Sequence, residues 1–227
     1  MSVILENELF DITPGQDWHM QYSERVALLY ILGRIKPDVS IEIGTFRCGS
    51  LGPISRASRN VYTFDIDPNQ HRNRTEFENV DFVTGNSAET LPPIIDALNA
   101  SDREVQFILV DGSHEEEGVL ADLVECLRYR PKTKPTVIMM HDSANPVVRK
   151  GILRAPWQTS KHVHALDLDF VPGMLYDRAD IAGEIWGGLA VAVMMPELRD
   201  GDLSIYSTYE PSRRVLMQHS VYGADDA

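Results

Sequence analysis

Cysteine is scarce in this chain of 227 residues: there are two, Cys48 and Cys126, and neither sits in a C-x-x-C or zinc-type spacing. A disulfide framework is therefore excluded as an expectation, and a reducing compartment is the simpler setting. Basic clusters are missing as well. Lys and Arg number 21 against 34 Asp and Glu, a net charge of −13, and "SRR" near the C-terminus is too short to make a basic face. A nucleic-acid binder draws much of its affinity from neutralised phosphates, so no nucleic-acid partner is expected. No apolar run is long enough to span a bilayer. The opening "MSVILENELF" lacks the basic region and long apolar core of a signal peptide. A cytoplasmic protein without a membrane partner is the expectation. Internal repeats and low-complexity stretches are absent.

What is present is alternation. Residues 16–36 read as an amphipathic helix, with Val26, Leu29, Tyr30 and Gly33 at helical spacing, ended by Pro37 and Asp38. Short β-rich runs then alternate with helical patterns: 39–44, 61–67, 80–85, 105–111 and 136–142. In the helix after the fourth run, Val119, Leu120, Leu123, Val124 and Leu127 form one apolar face. Repeated βα units imply a mostly parallel sheet covered on both sides. Two later runs, 162–171 and 187–195, suggest an antiparallel pair at its end. The expected fold is an α/β, Rossmann-like sheet of seven strands. Its parts are a helical cap at 1–38, a core at 39–199 and a polar extension at 200–227, read as an exposed tail.

Ligands of such sheets bind beyond the carboxyl ends of the strands. Here those ends carry Glu42 with a glycine loop, Asp65 and Asp67, Gly85 to Ser87, Asp111 to His114, and His141 with Asp142. A single polar turn residue is commonplace. Five in a row are difficult to explain as turns. The loop "IEIGTFRCGS" offers Gly44 and Gly49 but not the third glycine of a dinucleotide fingerprint, and it lacks the lysine of a P-loop.

"IEIGTFRCGS" followed by "VYTFDIDPN" resembles motif I and its successor in class I S-adenosylmethionine-dependent methyltransferases. "GNSAETLPPI" resembles their adenine-binding segment. "ILVDGSH", a helix and "VIMMHD" resemble the O-methyltransferase branch, with its catechol-type, macrolide and sugar enzymes. The likeness covers roughly residues 20–195. It implies S-adenosylmethionine as cofactor. Glu42 would take the methionine amino end, with Gly44 and Thr45 lining the turn. Ser50 would cap the helix and meet the carboxylate. Asp65 would accept from the ribose, with Asp67 as second candidate, and Ser87 with the backbone of Asn86 and Ala88 would face adenine. Asp111 would lie near the cofactor's sulfonium.

The resemblance further implies a divalent metal, magnesium, manganese or similar, held by Asp111, His141 and Asp142. The family more often has Asp-Asn, Asp-Asp or Glu-Asp at the last two positions, so the histidine means a lost ligand, a different preferred divalent metal, or no metal at all. His114 falls where the catechol-type enzymes hold their base, giving His114, Asp111 and His141 as the catalytic candidates. A second departure is Cys48, where the family commonly has glycine. The implied reaction is methyl transfer to a hydroxyl of a small sugar, glycoside or phenol. An NAD(P)-dependent oxidoreductase and a non-catalytic cofactor-binding partner protein are the alternatives. A homodimer or higher oligomer is expected, through the C-terminal strands or the N-terminal helices.

Overall fold

The computed structural model describes residues 18–71 and 75–223. Helix α1 (Tyr22–Ile35) precedes β1 (Val39–Ile43), α2 (Leu51–Ala57), β2 (Asn60–Asp65), β3 (Val80–Thr84) and α3 (Ser87–Ala100). Then come β4 (Val105–Val110), α4 (Glu116–Cys126), β5 (Thr136–His141), α5 (Pro146–Arg154), β6 (Val163–Leu175), β7 (Ile185–Met194), β8 (Ile205–Tyr206) and α6 (Glu210–His219). One sheet takes the order β3-β2-β1-β4-β5-β7-β6-β8. Strands β1 to β5 pair in parallel, and β7 runs antiparallel between β5 and β6. The chain reverses its direction of winding between β1 and β4, which opens a crevice above their carboxyl ends.

Alternation along the strands sorts the core into two layers. Val39, Ile41, Ile43, Ile108, Val110, Ile138 and Met140 pack with Leu91, Ile95, Val119, Leu123 and Ile152 of α3, α4 and α5. Val61, Phe107, Leu109, Met139 and Leu189 pack on the other face with Leu28, Leu32, Leu51 and Ile54 of α1 and α2. His141 follows Met139 by two residues, so its ring emerges on the face covered by α1.

Several expectations are corrected. Among the described residues the sheet has eight strands rather than seven. The stretch read as an exposed tail supplies both β8, which pairs with Leu166 and Asp167, and α6, whose Met217 is buried against Ala144 and Ile185. In α1 the buried face is Glu24, Leu28, Leu29 and Leu32, while Val26 and Tyr30 are exposed. That helix starts at Tyr22 because Trp18 and Met20 spend their carbonyls on the Arg25 guanidinium and Gln21 with Glu24 closes a capping box. Residues 16 and 17 of the expected helix lie outside the described residues. In α4, Val124 is exposed, and buried Asp122 and Cys126 stand on the inner face instead.

Candidate active site

The β1–α2 loop approaches β4 so closely that a side chain at Gly44 is excluded: its Cβ would lie 2.1 Å from the Asp111 carbonyl oxygen, and its φ is +97°. Phe46 and Cys48 follow at φ 40° and 65°. Cys48 thus occupies a left-handed position that glycine favours, which accounts for the family's glycine there but not for the cysteine. The tight path aims the loop at Asp65. One carboxylate oxygen of Asp65 accepts the Phe46 N–H (2.8 Å). The other accepts the Asp67 N–H (2.9 Å).

Two cavities meet here. The larger, about 660 Å³, is bordered by Gly44, Thr45, Ser50, Asp65, Asp111, His114, His141 and Asp142 on the sheet side, with Trp18, Tyr176, Arg178 and Trp186 across from them. The smaller, about 330 Å³, shares Gly44, Asp65 and Gly112 and continues to Asn86, Ser87 and Asp122. Most of the expected residues are thus brought together. Asp67 lines neither cavity; its carboxylate accepts from Asn69 and Gln70 in the turn after β2. Ala88 gives its N–H to the Asn86 side chain, which caps α3. The expected helix cap at Ser50 is not made. Its hydroxyl instead donates to Glu42 (2.6 Å), and Ser50 itself is already helical at φ −78°, ψ −30°.

Glu42 lies behind the cavity wall, fully buried. One oxygen accepts from Ser50 and the other from the Thr63 hydroxyl (2.6 Å). Thr63 contacts Thr45 (2.6 Å), and Thr45 contacts His71 (3.0 Å). Burial pushes the Glu42 carboxyl up to about 8, against the two hydroxyl donors and with help from the negative charges of Asp111 and Asp65. In the smaller cavity the Ser87 hydroxyl donates to Asp122 (2.5 Å). Burial raises that acid to about 6.

The acid and imidazole groups form a connected set. His114 Nε2 lies 3.1 Å from Asp142 Oδ2, and its ring stands edge-on to Trp186 at 5.4 Å. The hydrogen bond to Asp142 raises the His114 pKa, and burial opposes the rise. His141 Nδ1 lies 3.0 Å from Asp111 and 3.5 Å from Asp142. Its Nε2 faces Glu24 at 3.2 Å. Burial disfavours charge on this ring, but Asp111 and Asp142 outweigh it and hold the pKa well above the ordinary value. Burial would raise Asp142; His141 and His114 instead hold it well below the usual carboxylate range. Asp142 sits at φ 55°, in the left-handed region that a non-glycine residue adopts at a cost.

Glu24 and Asp122 were not anticipated from the sequence. Each is one acid within an amphipathic helix, and nothing local separates it from a solvated face. The signal for Glu24 was its place three residues after Gln21, a capping-box spacing whose acid had further partners to find.

The sequence family described as methyltransferase domain matches residues 41–143. Among solved structures, cofactor-bound Rv0187 from MTB aligns at 17% identity with a TM-score of 0.54, covering 86% of this chain and 88% of that one. The O-methyltransferase TomG from Streptomyces achromogenes, in complex with SAM, aligns at 13% identity and TM-score 0.51, covering 86% and 91%. The N-methyltransferase NodS from Bradyrhizobium japonicum WM9, in complex with S-adenosyl-L-homocysteine, aligns at 13% and 0.53, covering 86% and 97%. No curated protein sequence matches. Residues 41–143 thus match a methyltransferase domain, and the sheet around them has the class I, Rossmann-like methyltransferase fold. Among the described residues no helix is long and apolar enough to cross a membrane.

Proposed function

We propose that the protein transfers the methyl group of S-adenosylmethionine to a hydroxyl of a small molecule, a sugar, glycoside or phenol. The observation that carries this reading is the His114–Asp142 pair, on the wall of the same cavity as Gly44 and Asp65. With Nε2 committed to Asp142, His114 Nδ1 is the nitrogen that takes the hydroxyl proton. When bound, S-adenosylmethionine supplies an electrophilic methyl group on a positively charged sulfur. Asp65 would accept from the ribose hydroxyls, and Asn86 and Ser87 would face the adenine end. Asp111 would contribute negative charge toward the sulfonium. Glu42 acts through Ser50 and Thr63, whose hydroxyls it fixes. Trp18, Tyr176 and Trp186 offer ring faces to a planar or pyranose acceptor.

A divalent cation fits the donor set. Ligand atoms of Asp111, His141 and Asp142 all lie within 4.8 Å of one another. Such an ion would lower the pKa of an acceptor hydroxyl. Self-association remains part of the reading. Tyr22, Val26 and Tyr30 are exposed at four-residue spacing on one face of α1; static light scattering should return a dimer mass, and a monomer at micromolar concentration rejects it.

Incubation of the protein with S-adenosylmethionine and matched panels of hydroxylated and amino acceptors tests the main reading. Mass spectrometry should find one added methyl on hydroxylated compounds only. Methylation confined to amines overturns the assignment to oxygen.

A further inference from the structure

Glu24 is fully buried, yet it comes from a helix 117 residues away from the ring it meets. Its carboxylate accepts the Gln21 N–H at its own helix start (2.6 Å) and the Gly188 N–H of β7 (2.6 Å). It also faces His141 Nε2 at 3.2 Å. A helix cap needs only the first of these. The adjacent amide, Gly187 N–H, goes to Asp142 (2.7 Å). Consecutive glycines of β7 thus pin the two acids that flank the His141 ring. Both have positive φ, and a Cβ on Gly187 would fall 2.4 Å from Gln21 Nε2 and 2.7 Å from Glu24 Oε1. The close approach of α1 to β7 therefore depends on a residue without a side chain.

Consider what this does to the ring. Glu24 holds no proton donor for His141, so its natural partner is an N–H on Nε2. A cation at the Asp111 and Asp142 oxygens would displace the Nδ1 proton, leaving a neutral imidazole with Nε2–H and its lone pair on Nδ1. That atom lies between Asp111 (3.0 Å) and Asp142 (3.5 Å). We propose that Glu24 is a positioning residue for a divalent-cation site: it fixes the His141 tautomer and ring plane so that Nδ1 joins Asp111 and Asp142 in a mixed nitrogen and oxygen face. The inference rests on the cation reading of the same cavity given above. An imidazole ligand moves preference away from magnesium, which takes oxygen, toward manganese and later first-row ions. A carboxylate behind a ligating imidazole is the usual device for orienting it.

The test uses the full chain, stripped with EDTA and dialysed, and manganese(II) as probe. Free manganese is followed by its paramagnetic resonance signal and binding heat by calorimetry. Wild type should bind one ion per chain, and more tightly than magnesium. Glu24→Gln, which keeps the side chain's size and one acceptor oxygen, enough for one of the two amides, should weaken manganese binding about 10- to 100-fold, the range for loss of an outer partner. Gln21→Ala disturbs the same capping box without touching His141 and should leave manganese affinity nearly unchanged. Asp111→Asn should abolish binding, and ion uptake that survives it is adventitious and overturns the site. S-adenosylhomocysteine affinity, measured in parallel, should be unchanged in Glu24→Gln. Wild type that binds S-adenosylhomocysteine but no manganese overturns the inference and leaves the methyl-transfer reading standing. Wild type that binds neither overturns the methyl-transfer reading itself. Equal manganese affinity in wild type and Glu24→Gln reduces Glu24 to a helix cap. Should Glu24→Gln fail to fold, histidine-selective nitrogen-15 spectra of wild type decide the point. On adding zinc, His141 must keep its proton on Nε2 and bind through Nδ1; binding through Nε2 overturns the proposal.

Discussion

Glu42 is a carboxyl group sealed from water by the β1–α2 loop, and its chemistry follows from that burial. An acid whose pKa is raised in the folded chain holds a proton there that the unfolded chain has already released. Folding stability is therefore fully present below the ordinary carboxylate pKa of 4.5 and declines as pH climbs toward about 8. Urea denaturation at pH 5 and pH 8 should show this fall, and Glu42→Gln, which mimics the protonated acid, should flatten it. Asp65 tests the cofactor end. Asp65→Ala should weaken S-adenosylmethionine binding by about 1–3 kcal/mol, the scale for hydrogen bonds to a charged group; unchanged affinity in titration calorimetry would remove its ribose role. His114→Ala should lower turnover by roughly 10²–10⁴ with cofactor affinity retained, and full turnover would pass the base to another group. The places of Asp65 and His114 on the cavity wall were readable in the sequence because strand ends announce them. Glu24 and Asp122 were not, since their partners, His141 and Ser87, are brought to them only by tertiary packing.

Elements were more legible than their faces. Every strand from β1 to β7 was anticipated within a few residues, because turn residues and alternation of helical with β-rich runs mark their ends. Helix α1 was found, but its inner side was misassigned. Tyr30 and Val26 look like core residues by type, yet Leu28 and Leu32 fill the layer. Periodicity alone cannot choose between two apolar stripes on one helix; the sheet face does. The short β8 and helix α6 escaped notice because their sequence is mostly polar, and their few apolar anchors are spread among charges. At this scale the β1–α2 loop makes the sharpest prediction. Gly44→Ala forces a Cβ into the Asp111 carbonyl. The expected result is a lower melting temperature together with loss of S-adenosylhomocysteine binding, and a variant with wild-type values for both would show that the loop relaxes freely.

Across the whole molecule, the C-terminal extension joins the core at a buried ion pair, through the Ser207 hydroxyl. Arg149 of α5 and Asp169 of β6 are both buried and pair through two parallel bonds of 2.9 and 3.0 Å. Ser207, just after β8, adds its hydroxyl to both. Removing one partner strands a buried charge, so Asp169→Ala should cost about 3–5 kcal/mol in denaturant unfolding; a loss below 1 kcal/mol, by the same principle, would mean that water reaches Arg149. The glycine pair of β7 has a consequence in time as well as in space. Gly187 and Gly188 hold Asp142 and Glu24 in place, yet they lie far toward the end of the chain. During synthesis the first five strands can form while both acids still lack their amide donors. The cavity wall at His141 and Asp142 should thus be among the last parts to mature. Pulse-labelled hydrogen exchange during refolding should find these two amides protected after those of β1 and β4. Earlier protection would mean that β7 docks before the parallel sheet is complete.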